Sequence, residues 1–246
     1  MKKIPVLLIV TLIIFSACKK SSEEFNSAAI QDYYPLAVGK YITYNLDSIV
    51  TINFGASMVV RKYQVKYQVD ALITDNLGRP AYRIVRSIRN TAANPWQSDA
   101  TFMAINTSNS LEFVENNLRY IKLKVPIKDG YSWKGNAYID TYSLNSELKY
   151  LDSWDYVYDS VNVRSTVGTF TLDSTLKVNQ RDEIIGSPSD PNSYSEKNYG
   201  VEKYAAGIGL VYRNFLHTEY QPPVPGLGGH FVTGSYGVIL TMIDHN

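Results

Sequence analysis

The stretch VVRKYQVKYQVDALI, residues 59–73, decides the fold class. In it Tyr63, Val65, Tyr67, Val69 and Ala71 alternate with Lys62, Gln64, Lys66, Gln68 and Asp70. Successive side chains of an extended chain point to opposite faces, so a period of two held this long describes a strand with one wet face. TDNLGRP (74–80) then supplies turn-forming residues, and Tyr82 to Ile88 supplies a hairpin partner.

Strand patterns recur at 41–46, 101–106, 111–115, 118–125, 137–144, 154–164, 167–178, 208–220 and 231–243. Twenty tyrosines suit this reading, because aromatic side chains fit a pleated, half-buried surface. No long segment keeps apolar spacing of three and four without a breaker, and the best helix candidate is a turn or two within 27–32. Short strands at regular spacing predict a mainly β protein with little helix, an antiparallel meander forming a half-barrel or a sandwich. GSPSDPNSYSEKN (186–198) and QPPVPGLGGH (221–230) read as loops. Neither separates halves of different composition, so one β-rich domain is expected over residues 32–246. PLAVGKYITY (35–44) echoes PIKDGYSWKG (126–135): in each, proline enters a turn, glycine leaves it and a strand follows. Either half of the domain is duplicated or two strand entries are merely alike.

The amino terminus carries an address. Lys2 and Lys3 precede an apolar run from Ile4 to Phe15, then small residues lead to Cys18. That order is an export signal over residues 1–17, and the run falls short of the roughly 20 residues a membrane span needs. Phe15-Ser16-Ala17-Cys18 resembles the lipobox of bacterial lipoproteins, with phenylalanine where that family prefers leucine. The resemblance implies cleavage between Ala17 and Cys18 and acylation of the Cys18 thiol, for instance by palmitate. It also explains a single cysteine in an exported chain. Residues 18–31, polar and aperiodic, are expected to form a lipidated flexible tether. Lys19 after the cysteine implies the outer membrane, on its periplasmic face or at the cell surface.

DYYPLAVGKYITYNLDS and EKYAAGIGLVYRNF (202–215) resemble motifs shared by uncharacterised bacterial envelope lipoproteins. Some similar periplasmic families curl an antiparallel sheet around lipid, and the set implies no catalytic residues for this chain.

Candidate chemistry is sparse. His217, Glu219 and His230 are the only grouping with a metal-like donor set, and three or four converging ligands are required; no metal or cofactor is expected. Asp152, Asp155 and Asp159 lack the glycine turn of a calcium loop. There is no Gly-x-Ser-x-Gly elbow, and neither GIGLVYR nor GLGGH opens a helix as a phosphate loop does. Asp47-Ser48-Ile49, Asp159-Ser160-Val161 and Asp173-Ser174-Thr175 resemble a bacterial O-glycosylation signal, which implies Ser48, Ser160 and Ser174 as acceptors. Trp96, Trp133 and Trp154 either stack on a ligand or fill the core.

A formal net charge of +1, with acids and bases interspersed, gives no basic stripe for nucleic acid. The expectation is therefore a non-enzymatic, lipid-anchored envelope protein that binds or braces, with the membrane as partner through its anchor. A carrier of an acyl chain or lipid is the alternative, and requires an apolar cavity of several hundred Å3, about the size of small-molecule sites. A glycan-binding surface module is the third reading.

Overall fold

The computed structural model describes residues 27–246. The expected signal peptide, its cleavage site at Ala17 and Cys18, and the lipid attachment at Cys18 lie outside the described residues. The chain is already packed inside the segment expected to be tether. The backbone N–H of Ile127 donates to Ser27 Oγ at 2.8 Å, and Ile30 is in the core. A single helical turn, α1 (Ile30–Tyr33), follows. Ile30 and Tyr33 stand three apart on one face of that turn and both are buried, which pulls the domain boundary forward from residue 32.

Thirteen strands follow among the described residues: β1 (Tyr41–Ile52), β2 (Ser57–Thr74), β3 (Pro80–Arg89), β4 (Gln97–Asn106), β5 (Ser110–Glu115), β6 (Leu118–Lys124), β7 (Ser132–Lys134), β8 (Asp155–Val167), β9 (Phe170–Gly186), β10 (Ser195–Ala205), β11 (Gly209–Gln221), β12 (His230–Phe231) and β13 (Tyr236–His245). Every pairing is antiparallel, and the order is β6-β5-β4-β3-β2-β1-β13-β11-β10-β9-β8-β7, with β12 beside β11. The meander is thus one long sheet curled into a nearly closed barrel.

The two ends of that path meet. Ile121 N–H of β6 donates to the Gly135 carbonyl just beyond β7 at 2.8 Å. Side chains complete the seam: Trp133 Nε1 donates to the Ile121 carbonyl at 2.8 Å, and the Tyr158 hydroxyl bonds both the N–H and the carbonyl of Lys124. Three side-chain bonds stand in for a ladder that β7, three residues long, is too short to provide.

The sequence echo is a structural one. Lys40 N–H donates to Ala37 O and Tyr131 N–H to Lys128 O, each closing a turn at 3.0 Å. Gly39 N–H reaches Val69 O of β2, and Gly130 N–H reaches Tyr158 O of β8, both at 2.8 Å. Both glycines take positive φ (+92° and +76°), which a side chain would resist. The correspondence continues: Tyr44 pairs with Met242, and Gly135, equally far beyond its proline, pairs with Ile121. The first half, β1–β6, and the second, β7–β11 with β13, therefore close on each other at two seams, a full ladder between β1 and β13 and a single main-chain bond with side chains between β6 and the end of β7.

Three expectations need correction. Residues 137–144 alternate like a strand but fold as a loop, because the Asp140 carboxylate captures the N–H groups of Tyr142 and Ser143 and holds the backbone in a turn. β10 runs through the end of the stretch read as a loop; its positions 198, 200, 202 and 204 are Asn, Gly, Glu and Tyr, so no apolar alternation announces it. Residues 231–243 form two elements, β12 and β13, with turn residues between.

Candidate functional site

The barrel interior is lined by aromatic rings. Tyr44, Tyr67, Phe102 and Phe113 run across β1, β2, β4 and β5 with neighbouring centroids 5.3–5.6 Å apart. In the other half Trp133 packs on Tyr156 and Tyr158, and Trp154 packs on Phe215. Such rings bury large areas and prefer these offset and edge contacts.

Four charges sit within this aromatic shell. Glu115 on β5 and Lys122 on β6 come from the first half, Glu202 on β10 and Arg213 on β11 from the second. Both main ion pairs cross between the halves: Lys122 Nζ lies 2.7 Å from Glu202 Oε1, and Arg213 Nη1 lies 2.9 Å from Glu115 Oε2. Arg213 Nε is 3.7 Å from Glu202, and the Tyr204 hydroxyl donates to Glu202 Oε2 at 2.6 Å. Burial pushes both carboxyls up, but Lys122 and Arg213 win and hold Glu202 and Glu115 below the ordinary carboxylate range. Burial also keeps the hydroxyls of Tyr34, Tyr44, Tyr67 and Tyr204 protonated.

The space left among these groups is about 60 Å3, bounded by Tyr34, Tyr44, Tyr67, Ile84, Tyr204 and the four charges. A few water molecules fit there. An acyl chain does not, since the space falls far short of the several hundred Å3 required of a carrier.

A larger concavity lies on the surface. A cleft of about 600 Å3 is walled by the β2–β3 turn (Asn76, Leu77, Arg79), the β5–β6 hairpin (Asn117, Leu118, Arg119) and the β7–β8 connection, residues 135–154. Its floor is an ion network. Asp75 accepts the N–H groups of Leu77 and Arg79 and the Arg79 Nε, each at 2.9 Å. Arg79 also holds Glu112 through two bonds of 3.0 and 2.7 Å, and Arg119 bonds the same carboxylate. Burial alone would raise Asp75; the bonds from Arg79 and Leu77 outweigh it and bring the group to about 2.

The residues singled out from sequence are dispersed. Trp133 and Trp154 are 5% and 2% exposed, with their indole N–H groups bonded to the carbonyls of Ile121 and Tyr150. Neither offers a face to a ligand; both are core. Trp96 is half-buried beneath the Arg89 guanidinium, 4.2 Å from the ring centre, with Lys66 at 5.4 Å. Ser48, Ser160 and Ser174 all lie within strands, and the Ser174 hydroxyl donates to Asn162 Oδ1 at 2.8 Å. His217 is buried, stacked on Tyr150 at 3.7 Å, with Nδ1 bonded to Asn198 Oδ1 at 2.8 Å. Burial lowers its pKa, against a smaller opposing pull from Glu196. Glu219 instead accepts from Gln221, and His230 Nδ1 donates to Gly228 O. Among the described residues no three His, Cys, Asp or Glu side chains are grouped as metal ligands.

No family model matches the chain, and no curated protein does. Among solved structures, a Bacteroides fragilis protein described as exported and YmcC-like in fold aligns with a TM-score of 0.42 and 12% identity, over 88% of this chain and 100% of that one. A Parabacteroides distasonis protein described as a lipoprotein aligns with a TM-score of 0.30 and 11% identity, over 87% of this chain and 98% of that one. Likenesses this loose assign no activity.

Proposed function

We propose that this chain is a lipid-anchored, non-enzymatic binding module of the bacterial outer membrane, whose barrel is a scaffold and whose ligand-facing parts are on its outside. The filled interior carries this reading: aromatic side chains and cross-half ion pairs leave only about 60 Å3. The lipobox supplies the address. The amino-terminal segment is received at the barrel end made by the β4–β5, β6–β7 and β10–β11 turns, through Asn106 to Tyr34 O, Ile127 N to Ser27 and Gly207 N to Asp32 O. Two or three acyl chains make a durable anchor where one is marginal.

Replacing Cys18 by Ser tests the anchor. Wild-type protein from the native host is expected to fractionate with outer membranes and to show the mass of the peptide from Cys18 onward plus acyl groups. The Cys18→Ser chain is expected to stay unprocessed and to be lost from the outer-membrane fraction. Unchanged size and fractionation would overturn the reading. The same intact mass decides the three serines: excess beyond peptide and lipid supports glycans at Ser48, Ser160 or Ser174, and equality rejects them.

A further inference from the structure

We propose that the surface cleft between the β2–β3 turn, the β5–β6 hairpin and the β7–β8 connection binds a neutral glycan. The inference rests on reading the chain as a binding module and deepens it by naming the site and the ligand class. Three features converge on it.

The first is the connection itself. In the equivalent place of the first half, β1 and β2 are joined by residues 53–56; in the second half residues 135–154 intervene between β7 and β8. A long connection in a compact domain is commonly functional or disordered. This one is ordered: Ile139 and Leu151 are buried in the core, Asp140 caps a turn, and Asn136 Nδ2 donates to Leu151 O. It is built to form a wall.

The second is charge. Arg79 and Arg119 face the cleft, but their guanidiniums are already matched to Asp75 and Glu112. The floor is thus rigid and has no spare positive charge to attract a phosphate or carboxylate. A neutral ligand fits it better than an anion.

The third is the set of groups left over. Among the described residues the Asn117 and Asn145 side chains, which line the cleft, make no hydrogen bond, and each offers a planar amide with both donors and an acceptor. Asn117 sits at positive φ in the two-residue turn of its hairpin, which points it outward from a rigid element. Tyr138 is 59% exposed and presents an aromatic ring beside them, with Leu77 adding apolar surface. Paired amides around an exposed ring match a sugar, which has hydroxyls at its edge and C–H groups on its face. The cleft's volume, about 600 Å3, is that of an ordinary small-molecule site.

Calorimetry on the full chain purified in detergent, with cellotetraose, maltotetraose, mannotetraose and chitotetraose as probes, tests the proposal. At least one tetrasaccharide is expected to bind saturably, and Tyr138→Ala to weaken it by roughly tenfold or more. Asn145→Ala and Asn117→Gly, the latter keeping the turn conformation, are expected to weaken it too. Tyr142→Ala, at a ring that is 75% exposed but outside this cleft, should bind as wild type. Unchanged thermal midpoints show that the variants fold. Absence of binding by all four sugars at millimolar concentration overturns the proposal, as does a Tyr138→Ala chain that binds like wild type. Neither result bears on the Cys18 anchor, which is read by mass and fractionation.

Discussion

Lys122 Nζ and Glu202 Oε1 lie 2.7 Å apart inside the barrel, one from each half of the sheet, with their side chains 7% and 1% exposed. Together with Arg213 and Glu115 they tie the halves by charges that neither half could bury alone. Removing Lys122 leaves Glu202 in a low-dielectric interior with only the Tyr204 hydroxyl and the 3.7 Å approach of Arg213 Nε. Lys122→Met is therefore expected to cost about 3–5 kcal/mol, whereas Lys122→Met combined with Glu202→Leu should recover most of that loss. Urea unfolding measures both. A single variant within about 1 kcal/mol of wild type would show that water reaches the pair and screens it.

The seam between β6 and β7 depends on side chains acting as main chain. Trp133→Phe keeps the ring contact with Tyr158 but removes the indole donor to Ile121 O. The carbonyl left unbonded is expected to cost about 1–3 kcal/mol. Native-state hydrogen exchange localises the effect: the Ile121 amide, bonded to Gly135 O, should exchange faster. Tyr158→Phe should likewise speed the Lys124 amide, which now donates to the hydroxyl. Uniform acceleration across all strands would mean global destabilisation and no distinct seam.

Acid is expected to act on the molecule in two stages. His217 is held neutral in the fold, its pKa below the ordinary 6.5, while in the unfolded chain it protonates near that value. Its contribution is therefore present above about pH 6.5 and lost as pH falls further. Asp75 titrates at about 2 in the fold against 3.8 unfolded, so its contribution is full above about pH 4 and lost on the way to pH 2. Thermal melts across this range should show a mild decline followed by a steep one. His217→Gln should flatten the upper stage and Asp75→Asn should reduce the lower one. A variant that leaves its own stage unchanged would show that the residue does not drive it.

Much of the fold is legible in the chain because strand patterning is local. Residues 59–73 and 82–88 announce the β2–β3 hairpin, since alternation is imposed by the backbone of each strand and needs no partner to be read. The turns at Gly39 and Gly130 are visible for the same reason. β10 escapes because its inward positions include Asn198 and Glu202, whose burial depends on His217, Lys122 and Arg213 on other strands. Residues 137–144 mislead in the opposite direction, as one carboxylate, Asp140, diverts an alternating segment into a turn.

The candidate site was less legible. The sequence leaves Trp133 and Trp154 open between ligand stacking and core; burial makes them core and leaves Tyr138 as the exposed ring beside the cleft. Asn76, Asn117, Tyr138 and Asn145 share no motif and meet only because three connections pack together.

By itself the sequence determines most of the strands and the two similar turns, and it carries the pattern from which an amino-terminal address is read, all of which rest on interactions between near neighbours. Tertiary structure alone decides that the meander curls until Ile121 meets Gly135, that four charges neutralise one another across its interior, and that a cleft opens outside. Ion pairing and cavity shape depend on through-space distances of a few ångströms between residues far apart in the chain, and no local pattern encodes those distances.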